Sequence, residues 1–175
     1  MEIVRIPTQR MATLLGDRGA TKKMLEKRCK VKLTVRAEGD VEINGEEADI
    51  YFAQEVVRAI GRGFEPRTAL KVLKEDYQLY VIDLKEHAHT ENAIHRIKGR
   101  VIGEEGRIKQ EIEKAADSDL SVYGNTVAII ARIDSIEYAK EAIARLIHGA
   151  PHSSVLRYLA SVRKQLMGAR LGVIT

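Results

Sequence analysis

The sequence predicts an α+β protein made of two tandem copies of one small module followed by a C-terminal helix. Three observations predict it. A Gly-x-x-Gly spacing at a helix junction occurs twice, as Gly16-Asp17-Arg18-Gly19 and as Gly103-Glu104-Glu105-Gly106, with Gly103 lying 87 positions after Gly16. Each spacing is followed by a helical pattern and then by two short runs that alternate polar and apolar residues, the mark of a half-buried hairpin. Each copy then closes on an apolar stripe at helical spacing. With 13 Gly in 175 residues, about one Gly-x-x-Gly is expected by chance, so the repeated surroundings carry more weight than the motif. At the offset of 87, Lys22 falls on Lys109, Glu26 on Glu113, Lys27 on Lys114 and Val35 on Val122. At an offset of 86, Val41 meets Val127, Ile43 meets Ile129, Ala53 meets Ala139, Glu55 meets Glu141 and Gly63 meets Gly149. The one-residue slip falls within 37–40, which reads as a turn.

Taken in order, Ile3 to Ile6 is a short strand ended by Pro7, which suits the first turn of a helix over Thr8 to Leu15. The glycine loop follows, then a helix over Ala20 to Cys29 with Leu25 and Cys29 on one face and Met24 beside them. Lys32 to Arg36 and Val41 to Ile43 form a hairpin with one buried face. Ala53, Val56, Val57 and Ile60 mark a third helix, closed by Gly61 and Gly63. Glu65-Pro66-Arg67 opens a further helix, with Leu70 and Leu73 facing inward, that joins the halves.

Tyr77 to Leu84 opens the second copy. Lys85 to His89 is irregular, and Thr90 caps a helix running to about Val101. After Gly106, Ile108 and Ile112 share a helix face. Leu120 to Val122 and Thr126 to Ala131 form the second hairpin, turned at Gly124-Asn125. Asp134 is expected to cap the next helix, with Glu137 completing a capping box, over a stripe of Ile136, Ala139, Ile143 and Leu146. Gly149 to Ser154 breaks that helix and caps a last one, where Val155, Leu159, Val162 and Leu166 share a face; from Gly168 the tail reads as loose. The expected divisions are 1–63, 64–76, 77–149 and 150–175.

The totals bound the function. Hydrophobic content of 45% and charged content of 31% describe a soluble globular chain, and two modules this small have thin cores. The net charge of +4 and sequence pI near 9.2 permit a polyanionic partner. Cys29 is the only cysteine, which excludes an internal disulfide and suits a reducing cytoplasm. No uncharged run approaches the ~20 residues of a membrane span, so no membrane partner is expected, and Met1-Glu2 opens no signal peptide.

A module with this element order and with Val-Ile-Gly-x-x-Gly at its first helix junction resembles the eukaryotic-type (type I) KH domain. The resemblance implies two tandem domains, each a three-stranded antiparallel sheet with three helices. It also implies single-stranded RNA with its backbone along the glycine loop and its bases in an apolar groove between the flanking helices and the second strand. Matched residue by residue, Gly103, Glu104, Glu105 and Gly106 form the second loop and Gly16, Asp17, Arg18 and Gly19 the first. Leu33 and Val35, with Leu120 and Val122, sit on the matching strands, with the face turned to the groove left open. Ile97 to Gly103, Ser121 to Gly124, Gly149 to Val155 and Gly63 to Leu70 narrow the resemblance. They are similar to the two-KH ribosome-assembly group called partner of Nob, the KH pre-rRNA-processing family, in its compact archaeal form. For that group the resemblance implies binding near the 3′ end of small-subunit rRNA, in the service of a separate PIN-domain nuclease or another ribosome-assembly protein.

KH loops usually carry a basic residue between the glycines, whereas Glu104 and Glu105 are acidic and Asp17 adjoins Arg18. Flanking cations partly offset this: Arg10, Lys22 and Lys23 in the first copy, and Arg96, Lys98, Arg100, Arg107 and Lys109 in the second. The search for catalysis finds little. No GxxxxGK[ST] phosphate loop exists. His87 and His89, with Glu91 and His95 near, form one cluster of metal-binding type. Glu111, Glu113, Asp117 and Asp119 form acidic pairs of the kind a nuclease uses. Surface histidines and helix carboxylates are common, so the expected protein is a binder without enzymatic activity or cofactor. Its rivals are a KH-fold scaffold that mainly holds proteins, such as a nuclease or a translation factor, and a metal-dependent nuclease.

Overall fold

Each half of the chain folds from the same run of elements. The computed structural model, which describes residues 1–172, opens with β1 (Glu2–Arg5), α1 (Thr8–Leu15), the first glycine turn and α2 (Ala20–Cys29). The hairpin β2 (Lys32–Val35) and β3 (Asp40–Asn44) and the helix α3 (Glu47–Gly61) complete the module. The second run is β4 (Tyr77–Asp83), α5 (Glu91–Ile102), the second glycine turn, α6 (Arg107–Ala115), β5 (Ser118–Tyr123), β6 (Thr126–Arg132) and α7 (Ile136–Ile147). Each run builds a three-stranded antiparallel sheet, in the order β1-β3-β2 and β4-β6-β5. The central strand in each is thus the last in sequence. In the first hairpin Leu33 pairs with Ile43 and Val35 with Val41; in the second, Leu120 pairs with Ile129 and Val122 with Val127.

The cores follow the apolar stripes. Leu14, Leu25, Leu33, Val41, Ile43 and Ile60 are buried in the first module. Ile108 and Ile112 of α6, Leu120 of β5, Ile129 of β6 and Ile143 and Leu146 of α7 lie in one cluster in the second. The central strands differ. β3 alternates buried Val41 and Ile43 with half-buried Asp40 and Glu42. β6 is buried from Thr126 to Ala131 on both faces, which is why it reads as a nearly continuous apolar run. Cys29 is buried, and burial pushes its thiol up to about 11, so it is a protonated core residue near neutral pH.

The chain divides between Leu79 and Tyr80 into two compact units. The segment 64–76, expected as a connection, belongs to the first. Its α4 (Pro66–Ala69) and a 3₁₀ turn over Leu70–Leu73 pack on α3. This segment buries Leu70 and Val72 and leaves Leu73 half-buried. The last helix, α8 (His152–Arg170), turns Val155, Leu159, Val162 and Leu166 inward and packs on α6 and α7.

Four local expectations fail at termini. Pro7 is the residue before α1 and not in its first turn, since its ψ of 137° is extended. α7 has no capping box: its cap is Ser135, without a side-chain cap bond. Asp134 instead meets Arg132 at 3.5 Å and Arg170 at 4.0 Å, and Glu137 takes Lys140 at 3.0 Å, so nearby cations outcompete the backbone N–H groups. α8 is entered from Pro151 without a side-chain cap, leaving Ser153 and Ser154 inside the helix. Nor is the tail loose from Gly168. The helix continues to Arg170, whose Nη1 donates to Asp117 Oδ2 at 3.0 Å, and residues 173–175 lie outside the described ones. No described helix is long and apolar enough to cross a membrane.

Because Leu159 is 2% exposed within the core of the second unit, Leu159→Ala should cost about 2–5 kcal/mol. Urea unfolding should show the loss in the transition of the second unit, with that of the first unmoved.

Candidate nucleic-acid interface

The two glycine turns have nearly the same backbone. Gly16 has φ 71° and ψ −177° and Gly103 φ 74° and ψ 176°; Gly19 and Gly106 are left-handed at φ 75° and 74°. Between them Arg18 and Glu105 also hold a left-handed conformation, at φ 49° and 54°. A non-glycine residue there costs about 1–2 kcal/mol, and strain of this kind gathers at functional turns. The following helices begin without a side-chain cap. The first N–H groups, those of Ala20 and Arg107, donate to the carbonyls of Asp17 and Glu104 within the turn, and the positive end of the helix dipole still favours an anion beside it.

The paired glycines do different work. A Cβ on Gly16 would meet Thr21 Oγ1 at 2.1 Å, and one on Gly103 would meet Ile108 Cγ1 at 2.5 Å and its backbone N at 2.9 Å. The first glycine of each turn thus lets the next helix close on the turn. A Cβ on Gly19 or Gly106 meets nothing within 4 Å. That side is open, and a phosphate has room to approach.

The expected cations divide into three groups. Lys23, Arg96 and Arg107 are exposed, Lys98 is half-buried, and Arg18 is exposed within its own turn. Lys22 and Lys109 are engaged by carboxylates one helical turn on, with Nζ 3.6 Å from Glu26 and 3.1 Å from Glu113. Those carboxylates also accept the backbone N–H of Leu33 at 2.8 Å and of Leu120 at 3.0 Å, tying the helix to the outer strand at equivalent places in both modules. Arg100 is already engaged within the fold, since its guanidinium donates to the carbonyls of Leu146 (3.0 Å) and Ala150 at the end of α7. Arg10 does the same at the end of α3, donating to Ile60 and Phe64 at 2.8 Å each. The two arginines are not equivalent in the repeat. They sit one turn apart along their helices and reach equivalent carbonyls, so alignment of the copies could not reveal them.

Glu104 and Glu105 are exposed, as is Asp17. On the strands, Leu33 and Leu120 are buried, and Val35 and Val122 lie on the same face, half-buried toward the strand end. Thr34 and Ser121 therefore point to the opposite face. Ile97 of α5, named in the sequence only as the start of a matching stretch and not as an apolar contact, packs half-buried against the same cluster as Val122. Its signal was its spacing from Ile94 and Val101.

The other chemistry does not assemble. Among the described residues no group of three or more His, Cys, Asp or Glu is placed to hold a metal. His87 instead packs edge-on against His148, with ring centroids 6.2 Å apart. Glu113 is bound to Lys109 and the Leu120 N–H, and Asp117 to Arg170.

The turn geometry separates the glycines by experiment. Gly103→Ala should lose clearly more stability than Gly106→Ala in chemical denaturation. Both place a side chain at positive φ, for about 1–2 kcal/mol, but only the first drives a Cβ into Ile108.

With this geometry in hand, the relatives are informative. A family model for the PNO1-type second KH domain, described as eukaryotic-type (KH-domain type I), matches residues 78–164. KH domain-containing protein MJ0443 of Methanocaldococcus jannaschii is 42% identical over 175 residues, covering 97% of this chain and 77% of the relative. Pre-rRNA-processing protein PNO1 of Chaetomium thermophilum is 33% identical over 116 residues, or 62% of this chain. The chain spans 44% of that longer relative. A crystal structure of an a/eIF2alpha–aDim2p–rRNA complex from Pyrococcus horikoshii OT3 contains a chain that superposes with a TM-score of 0.87 at 43% identity, covering 94% of each chain. The chain therefore belongs to the family of KH domain-containing proteins, and over residues 78–164 it matches the PNO1-type KH domain of type I.

Proposed function

We propose that this chain is a non-enzymatic, single-stranded RNA-binding protein built of two tandem type I KH domains. It acts on the 3′ region of small-subunit rRNA, in maturation of that RNA and assembly of the ribosome. The observation that carries the reading is the doubled glycine turn, each copy with a helix start that has no side-chain cap and with an open second glycine. In KH domains such a turn clamps the nucleic-acid backbone while bases are read in the neighbouring groove. The pre-rRNA-processing relatives and the neighbour solved in complex with rRNA support it. The same sheet order in both units supports a KH domain in each. The contacts are Gly16 to Gly19 with Lys22 and Lys23, and Gly103 to Gly106 with Arg96, Lys98, Arg107 and Lys109.

A second reading, a scaffold that mainly binds protein, is favoured by the acidic second loop and by the presence of a/eIF2alpha in the neighbour's complex. A PIN-domain nuclease or another assembly protein would be the partner. RNA affinity that stays weak at low salt while such a protein binds tightly decides for the scaffold.

Gly106→Asp tests the RNA reading with little disturbance of packing, since its Cβ space is open. It should weaken binding to the 3′-terminal small-subunit rRNA sequence while leaving circular dichroism unchanged, and Gly19→Asp should do so if the first unit also binds. Retained affinity in both variants overturns the assignment.

The acidic loop gives a separate outcome. Changing Glu104 and Glu105 together to Lys should tighten binding to unrelated single strands more than to the target. It should also steepen log K against log salt by roughly 0.7 for each new phosphate contact. Parallel slopes for parent and variant mean that the second loop does not hold RNA.

A further inference from the structure

A cleft of about 460 Å³ runs between α6 and α8 within the second unit. On α6 its wall is Arg107, Glu111 and Ala115. These residues are four apart and so share one face over about 12 Å of helix. On α8 the wall includes Leu156, Arg163, Lys164 and Met167. The two helices run the same way from the glycine turn. α8 starts beside the end of α5, where His152 Nε2 lies 3.1 Å from the Arg100 carbonyl, and it finishes beside Asp117, just beyond α6, through the Arg170 ion pair. Arg107 follows Gly106 directly, so the cleft begins where the turn ends.

Its charge is one-sided. Arg107, Arg163 and Lys164 are exposed cations, and Glu111 is the one carboxylate in the lining. The acids at the far end, Asp117 and Asp134, are met by Arg170. Beside the cations the lining also holds the half-buried Leu156 and Met167, which is 58% exposed. An unbranched thioether and an aliphatic wall offer a flat base an apolar surface without specifying it. Cations spaced along an apolar trough that leads away from a phosphate-binding turn suit a single nucleic-acid strand. They suit a protein helix less well, since that would have to bring several carboxylates onto one face.

We propose that the α6–α8 cleft is a second stretch of the RNA path, in which Arg107, Arg163 and Lys164 hold backbone phosphates of the strand that has crossed the Gly103–Gly106 turn. The proposal rests on the RNA-binding reading above and deepens it: the last helix, outside the repeated module, lengthens the bound strand. Specificity stays with the groove at the turn, and the cleft adds affinity that depends on strand length and salt.

The test uses the full chain, the double variant Arg163→Glu with Lys164→Glu, and two probes: a dodecanucleotide of the 3′-terminal small-subunit rRNA sequence and tetranucleotides cut from it. Both side chains are exposed, so the variant should keep its circular dichroism and melting temperature. It should bind the dodecanucleotide about tenfold or more weakly, with a salt slope lower by roughly 1.4 for two lost phosphate contacts. Tetranucleotides, which fill only the turn and its groove, should bind as to the parent. Equal dodecanucleotide affinity and slope in parent and variant overturn the proposal, whether or not the variant loses a protein partner instead. An equal loss for both probe lengths also overturns it, because a general charge effect is then responsible. If neither probe binds the parent, the RNA-binding reading itself fails; if the parent binds and only Gly106→Asp weakens it, that reading stands and the cleft proposal falls.

Discussion

The structure depends on a close approach at one backbone position in each unit, the first glycine of the turn. At Gly16 and Gly103 the chain leaves one helix at positive φ and enters the next so tightly that a Cβ would lie within 3 Å of Thr21 or Ile108. Helix pairing follows from that approach: α1 packs on α2 and α5 on α6. Ile108 and Ile112 can then enter the core below. The residues left over at the turn face away from the core, and there the second glycine stays open and the helix start carries no side-chain cap. Packing and binding thus use opposite ends of the same four residues, which is why the spacing is fixed while its middle pair is free to be Asp-Arg or Glu-Glu.

Around this turn each unit spends charged groups on structure. Glu26 and Glu113 hold a strand N–H and a lysine at once. Arg10 and Arg100 each tie together two carbonyls at and just beyond a helix end, Ile60 with Phe64 and Leu146 with Ala150. A charge-assisted bond of this kind is worth about 1.5–3 kcal/mol, so such a guanidinium is costly to lend to a ligand. The proposed interface therefore rests on a smaller set of cations than the basic composition suggests, and the acidic second loop reduces its charge further. Weak general attraction leaves more of the discrimination to base contacts.

The units diverge where the repeat ends. After α3 the first continues into one short helix and a 3₁₀ turn that pack back on α3. After α7 the second continues into α8, a helix of 19 residues whose buried stripe joins the core. Burial of Val155, Leu159 and Val162 makes α8 part of the second unit, and its remaining faces carry Arg163 and Lys164 to the side of α6.

By itself the sequence determined what local periodicity and internal repetition encode: the order of the elements, the two glycine turns, the hairpins and the buried stripes of α3, α6, α7 and α8. These are legible because a helix or a half-buried strand writes its face into spacings of three, four or two residues. The site was legible as a position, Gly16 to Gly19 and Gly103 to Gly106, because only glycine takes those backbone angles at low cost. What only the tertiary structure decided lies far apart in the chain. Arg100 is consumed by carbonyls 46 and 50 residues away, and Arg10 by carbonyls 50 and 54 residues away. Asp134 gives up a helix cap for Arg132 and Arg170, and β6 is buried on both faces. α8 meets α6 rather than solvent. A cation on a helix looks the same in sequence whether it ends at a carbonyl or in water, since the difference is set by which distant backbone folds beside it.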